Sequence, residues 1–219
     1  MSDNGAIDRR RLAGVRQPLK ESKWPRTTRR QERIERAIDR RQPDLSLVLE
    51  DIHDPHNVSA VLRTCDAVGV FRVHLVYVKE TPPRKAFART TSGSAAKWIE
   101  IVRHDSIGAC YERLRVDGLR ILVTALEAES VDVYETDLSG PVALIFGNEM
   151  RGVSDEAISG ADGLISLPML GMIQSLNISV ACAITLYEAM RQRRHAGRYD
   201  RPNLDDEARQ RMVEDWLKR

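Results

Sequence analysis

Three short stretches of this 219-residue chain combine residue types that folding alone does not require. The first is His-Asp-Pro-His-Asn-Val-Ser-Ala-Val-Leu-Arg-Thr at residues 53 to 64, a Pro-bearing loop opening a helix, with Asn57 placed as cap and Arg63 on the polar face. Taken singly, Asn57 is a cap and Arg63 a surface arginine paired with Asp66. The second, Phe-Gly-Asn-Glu-Met-Arg-Gly-Val at 146 to 153, follows an apolar run. A turn with two glycines and a carboxylate at the carboxyl end of a parallel strand is where open α/β sheets bind ligands. Gly147 and Gly152 permit close backbone approach or positive φ, and Glu149 offers a polar contact. An ordinary strand-to-helix turn capped by Ser154 explains the glycines but not the Asn-Glu pair. The third, Leu-Pro-Met-Leu-Gly-Met-Ile-Gln-Ser-Leu-Asn-Ile-Ser at 167 to 179, runs from a strand end into a helix and leaves backbone amides and small polar groups around a cleft. Met169 and Met172 alone read as core filler.

Other chemistries find no support. No Gly-x-Gly-x-x-Gly follows a strand, no phosphate-binding Gly-Lys-Ser/Thr loop occurs, and no Ser-His-Asp order suggests itself. His53, Asp54 and His56 share a Pro-containing loop without a second ligand set, so they read as hydrogen-bonding residues, and no metal is expected. Cys65, Cys110 and Cys182 are widely spaced and read as buried thiols rather than disulfides or zinc ligands.

The elements that must position these residues alternate. Strand-like runs at Leu45 to Leu49, Val70 to Val78, Trp98 to Val102, Leu119 to Thr124, Val142 to Phe146 and Leu164 to Leu167 are separated by helical segments, which predicts a mainly parallel sheet with helices on both faces. Val142 to Phe146 is apolar throughout and is the candidate for the middle of the sheet. Asn57 to Val68 places Val58, Val61, Leu62, Cys65 and Val68 on one stripe, with Gly69 closing the helix and Arg63 roughly opposite the stripe. The segment Ile178 to Met190 is apolar around most of its circumference, as a helix covered by the sheet on one side and a second subunit on the other would be. After Pro202, Ala208, Met212, Val213, Trp216 and Leu217 make an amphipathic helix that packs against the body, or else against a partner.

Charge is unevenly spread. Residues 1 to 42 carry thirteen Lys/Arg against six Asp/Glu, whereas the remainder is net acidic. A basic extension of this kind either tethers a polyanion, releasing condensed counterions at each phosphate contact, or is a solvated tail. Residues 1 to 28 lack periodicity and read as a flexible basic arm, and Arg29 to Arg41 as a short helix with an Ile34, Ala37, Ile38 stripe, stopped by Pro43. No run of some twenty apolar residues and no secretory signal is present, so a cytoplasmic protein without a membrane span is expected.

In this order the three constellations resemble the signature motifs of the TrmH branch of the SPOUT methyltransferases. The likeness covers roughly residues 30 to 219 and includes Arg-Arg-Gln-Pro-Asp-Leu at 40 to 45, Pro-His-Asn-Val-Ser-Ala at 55 to 60, Arg-Thr-Cys-Asp-Ala-Val-Gly at 63 to 69, Gly-Met-Ile-Gln-Ser-Leu-Asn-Ile-Ser at 171 to 179 and the tail Ala-Gly-Arg-Tyr-Asp-Arg-Pro at 196 to 202. The resemblance implies an α/β domain over residues 44 to 197 whose C-terminal part is threaded into a deep trefoil knot, preceded by a basic helix at 29 to 43 and followed by a helical extension at 198 to 219. It implies S-adenosylmethionine held in the knot near Thr124, Gly147, Leu167, Met169 and Leu176. Arg63 would act on a ribose 2′-hydroxyl, with Asn57, Glu149, Ser175 and Asn177 completing a site shared across a homodimer. The substrate implied is guanosine 18 of tRNA, with Arg29, Arg30, Arg33, Arg36, Arg40 and Arg41 as a clamp on its backbone. A guanidinium, whose pKa lies above about 12, is a poor base, so Arg63 is expected to bind the neighbouring phosphate and thereby place the hydroxyl. The same residues leave two alternatives open. One is a ribosomal RNA 2′-O-methyltransferase, whose relatives commonly carry a separate folded domain before the catalytic one; the other is a non-catalytic RNA-binding SPOUT protein, which would be expected to lose Arg63 or the asparagines.

Overall fold

The structure is a computed structural model that describes residues 27–79 and 95–219; most of the proposed arm at 1 to 28 lies outside the described residues. In chain order the elements are α1 (Thr28–Ile38), β1 (Gln42–Glu50), α2 (Pro55–Val68), β2 (Val70–Val76), β3 (Glu100–His104), α3 (Ile107–Val116), β4 (Arg120–Thr124), β5 (Val131–Asp132), β6 (Val142–Phe146), α4 (Asp155–Ser159), β7 (Gly163–Ser166), α5 (Ile178–His195) and α6 (Asp206–Lys218). The strands form one sheet in the order β3-β2-β1-β6-β4-β7-β5, and every pairing is parallel. The apolar run of β6 is buried at all five positions and lies fourth of seven, in the middle as its composition requires.

Side chains alternate across the sheet, and each face has its own core. Leu45, Leu47 and Leu49 of β1 with Val142, Leu144 and Phe146 of β6 pack under α2 and α5. Val48, Ile121, Val123, Ala143 and Ile145 on the other face pack under α3 and α4. A third, small cluster joins α1 to α6 through Ile34, Ile38, Val213, Trp216 and Leu217, so the C-terminal helix does seal against the body.

Several expected boundaries shift for local reasons. The basic helix ends at Ile38, and Pro43 lies inside β1, where the register to β2 slips between Gln42 and Ser46. That irregularity accommodates a residue with no N–H to donate. Trp98 is not in a strand; it sits in the turn before β3 and packs on Trp216 at 4.9 Å between ring centroids. The two-residue β5 has no readable period. Gly69 ends α2 at φ 88, as its position suggested. No helix among the described residues is long and apolar enough to cross a membrane, and Cys65, Cys110 and Cys182 are free and buried.

Candidate functional site

The loops that leave the carboxyl ends of β4, β6 and β7, three adjacent strands, enclose a cavity of about 480 Å³. Its floor is apolar, with Val133, Phe146, Ile165, Ile178 and Ala181, and its rim is polar, with Thr124, Glu127, Glu149, Gln174 and Ser175. Thr124, Gly147, Leu167, Met169 and Leu176, assigned from resemblance to the methyl donor, all line it, as do Glu149 and Ser175. A pocket of this size, mostly apolar with a few polar groups and exposed backbone, suits a nucleoside-sized ligand.

The loop after β6 is held by residues whose roles the sequence did not disclose. Asn148 is buried; its Nδ2 donates to the carbonyl of Asp51 at 2.7 Å, and its Oδ1 accepts from the N–H groups of Met150 at 2.9 Å and Arg151 at 3.2 Å. Half of the unexplained Asn-Glu pair is therefore a staple between this loop and the end of β1. Asp51 itself has φ 52, and Oδ1 of its carboxylate accepts from the N–H of Val78 at 2.8 Å. Glu50 accepts from the N–H of Ser154 at 3.0 Å, while Ser154 caps α4 through Ala157. A Cβ on Gly147 would stand 2.2 Å from the backbone of Gly152, and Gly152 has φ 69, so the loop needs both glycines, the first for close approach and the second for its dihedral. Tyr77, at the end of β2, has a buried hydroxyl, and burial, with Asp51 and Glu149 adding to it, pushes the phenol up to about 12.

The other half of that pair joins the three motifs. Asn57 Nδ2 donates to Glu149 Oε1 at 2.6 Å, Asn177 Nδ2 donates to Asn57 Oδ1 at 3.2 Å, and Asn177 Oδ1 caps α5 by accepting from the Ser179 N–H at 2.9 Å. The bridge ties the amino ends of α2 and α5 side by side at the rim. Two helix amino ends pointing at one place favour an anion there. Asn57 is not the cap of α2, as the sequence suggested: Pro55 takes the first helical position, so the cap falls on Asp54, whose carboxylate accepts from the His56 N–H at 2.8 Å.

Arg63 is exposed on the outer face of α2. It lies six residues beyond Asn57, roughly 9 Å along α2 and about 120° around it, so it does not reach the bridge and does not line the cavity. Nor does it pair with Asp66. That carboxylate is taken by Arg41, which is 2% exposed, also donates to the Val70 carbonyl at 2.9 Å and stacks over Trp216 at 5.1 Å. Arg41 is thus anchored in the interior while it also borders the groove formed by the other arginines. Arg29, Arg33, Arg36, Arg40 and Arg41 line a groove of about 820 Å³ together with Arg194 and Tyr199, whereas Arg30 stands apart from it. The groove contains Gly69 and so lies at the amino ends of the strands. The length of β1 puts that about 25 Å from the cavity.

Residues 44–187 match the model of the SpoU rRNA Methylase family. The chain belongs to the SpoU rRNA methylase family. It is 47% identical to the tRNA (guanosine(18)-2′-O)-methyltransferase of Thermus thermophilus over 194 residues, 89% of this chain and 98% of that protein. The solved TrmH/SpoU tRNA modifying enzyme of A. aeolicus superposes with a TM-score of 0.78 at 37% identity, covering 87% of this chain and 95% of that one. An AdoMet-bound rRNA methyltransferase from Sinorhizobium meliloti gives a TM-score of 0.61 at 33% identity over 72% of this chain and 59% of that chain. SpoU membership makes the chain an S-adenosylmethionine-dependent methyltransferase in class.

Proposed function

We propose that the chain transfers a methyl group from S-adenosylmethionine to the ribose 2′-hydroxyl of guanosine 18 in tRNA. The observation that carries this reading is the Glu149–Asn57–Asn177 bridge, which links all three motifs at the mouth of the cavity. The near end-to-end likeness to tRNA-acting relatives favours tRNA over ribosomal RNA.

Gly147, Leu167, Met169, Leu176 and Thr124 would hold the donor, in a cavity whose apolar residues suit its adenosine. Bound there, it supplies an electrophilic sulfonium methyl. What remains for the protein is to aim one hydroxyl along the line to that methyl and exclude its neighbours, and positioning of this kind supplies much of the rate. Glu149 borders the cavity and holds Asn57, so it sets the distance between the donor and α2. Ser175 and Asn177 close the rim, and the paired helix ends attract the phosphates flanking the ribose. Arg63 binds the phosphate beside the target.

Because Arg63 lies away from its own cavity, the reading includes a homodimer in which one protomer's Arg63 serves its partner's donor. It is supported by an apolar stripe on α5, Val180, Ile184 and Tyr187, whose first and last members are half exposed, and by Leu170 and Met172 at 100% and 99% exposure beside the cavity mouth. The arginine groove at the far end of the sheet then grips the tRNA backbone, with the basic helix at 29 to 43 before and the helical extension at 198 to 219 after the 44 to 197 domain. A deep trefoil knot belongs to the same reading. Supporting it, β6 enters between β1 and β4, and the 167–177 segment must return from β7 to place α5 beside α2 over β1.

The test is methyl transfer from labelled S-adenosylmethionine to unmodified tRNA transcripts, with guanosine 18 or its 2′-deoxy form. Label confined to the ribose-bearing transcript is the expected result. Transfer to ribosomal RNA fragments alone would overturn the tRNA assignment.

A further inference from the structure

On the half of the sheet away from the cavity, His74 of β2 and His104 of β3 stack with ring centroids 5.1 Å apart, and His74 Nδ1 lies 2.8 Å from His104 Nε2. Cys110 of α3 completes the group: one donor atom from each of the three residues lies within 4.8 Å of the other two. Two imidazole nitrogens this close share one hydrogen. His74 is wholly buried, and its Nε2 has no hydrogen-bond partner among the described residues. Nothing outside the pair therefore fixes which nitrogen of His74 carries the proton.

We propose that His74, His104 and Cys110 form a binding site for a zinc ion, separate from the methyl-transfer cavity. Imidazole and thiolate are the ligands this borderline-soft ion takes, and tetrahedral bonds of about 2.0 Å to nitrogen and 2.3 Å to sulfur place donor atoms about 3.3–3.6 Å apart. From the present arrangement the two nitrogens separate by about 0.5 Å and the sulfur closes by about 1.2 Å at most. On binding, the hydrogen between the rings moves to the outer nitrogen of whichever imidazole carries it, and the Cys110 Sγ proton passes to solvent. One proton is released per ion, and no oxidant or reductant is needed.

The surroundings tolerate the charge. Arg72 pairs with Glu100 at 3.0 Å and with Asp117 at 2.7 Å, and Arg113 pairs with Asp117 at 3.1 Å, so the nearby guanidinium groups are neutralised. His104 is half-buried on β3, an edge strand, which leaves the fourth position open to water. Bound zinc would pin that edge and α3 to β2. The three ligands come from three elements and 37 residues of chain, so no spacing motif announces them, and Cys110 reads from sequence as an inert core thiol.

The test uses untagged protein stripped with chelator and then titrated with Zn(II) against a chromogenic competitor, and in parallel with Co(II) while following thiolate-to-metal absorption. One equivalent per chain is expected, with a cobalt-thiolate band and a higher melting temperature for the zinc-loaded form. His104→Asn, on the half-buried edge, and Cys110→Ser should each weaken binding by about two orders of magnitude and abolish the band. Circular dichroism confirms that each variant folds before it is scored. Wild-type protein that takes up no stoichiometric ion, or binds it unchanged after either substitution, overturns the proposal and leaves a hydrogen-bonded pair beside a core thiol.

Discussion

Gly147→Ala perturbs the donor cavity through one methyl group. The added Cβ meets the carbon and oxygen of Gly152 at 2.2 Å and the nitrogen of Val153 at 2.3 Å, all backbone atoms that cannot rotate away. Relief requires the 152–153 segment to retreat by about 1.2 Å or more to reach van der Waals distance. That segment is held by the Gly152 N–H to Asn148 carbonyl bond at 2.8 Å and sits at φ 69. Overpacking costs about 1–3 kcal/mol, and a strained or lost hydrogen bond adds about 1 kcal/mol, so about 2–4 kcal/mol in all. At roughly 2–4 °C per kcal/mol for a chain of this size, the melting temperature falls by about 5–15 °C. The moved loop is a wall of the cavity, and donor affinity measured by calorimetry should fall by about tenfold or more. Gly140→Ala is the control: nothing lies within 4 Å of its Cβ and its φ is not positive, so both readings should stay near wild type. Wild-type melting and donor affinity in Gly147→Ala would refute the close-approach reasoning.

Other consequences follow from single contacts. Arg193 is 0% exposed and donates five hydrogen bonds, to Gln42, to Asp44 twice and to the carbonyls of Leu138 and Gly140. Arg193→Leu should cost about 3–5 kcal/mol in urea unfolding, and a change under about 1 kcal/mol would contradict its role. Asn57→Ala cuts the bridge between motifs without entering the cavity, so turnover should drop by about 10- to 100-fold while donor affinity stays within about twofold of wild type; a selective loss of donor affinity would show that the bridge serves the donor instead. Burial pushes the Cys110 thiol up to about 12 and raises those of Cys65 and Cys182 well above the ordinary thiol range as well. Native metal-free protein should therefore resist a disulfide reagent at pH 8 and release three equivalents of thiol on unfolding, and fast native labelling would contradict this burial.

The fold was legible where periodicity and length agree. Val142 to Phe146 could only be a strand covered on both faces, and the Val58-to-Val68 stripe ending at Gly69 could only be a helix with one buried side. The two-residue β5 and the displaced Trp98 were not, because their positions depend on partners far along the chain, Ile165 for Val131 and Trp216 for Trp98. At the site, residue types in three motifs pointed to one place, but which residue does what depended on competition for hydrogen bonds. Asn57 lost the capping role to Asp54 because Pro55 advances the helix start, and so became a bridge. Arg41 borders the arginine groove from the interior because Asp66 and Trp216 offer it an ionic partner and an aromatic face. Asn148, Asp51 and Glu50 escaped notice because a buried polar side chain stapling one loop to another looks, in sequence, like any loop residue; the signal was their place at the ends of the two central strands.

Arg63 tests the account most directly, since it is exposed, lies outside the cavity of its own chain and is assigned the decisive role. Single-turnover methyl transfer to a guanosine 18 transcript should be measured for wild type, Arg63→Lys and Arg63→Ala, alongside donor affinity for each. A loss of about 100-fold or more in Arg63→Ala, partial activity in Arg63→Lys and unchanged donor affinity throughout are expected. Full turnover in Arg63→Ala would contradict that role.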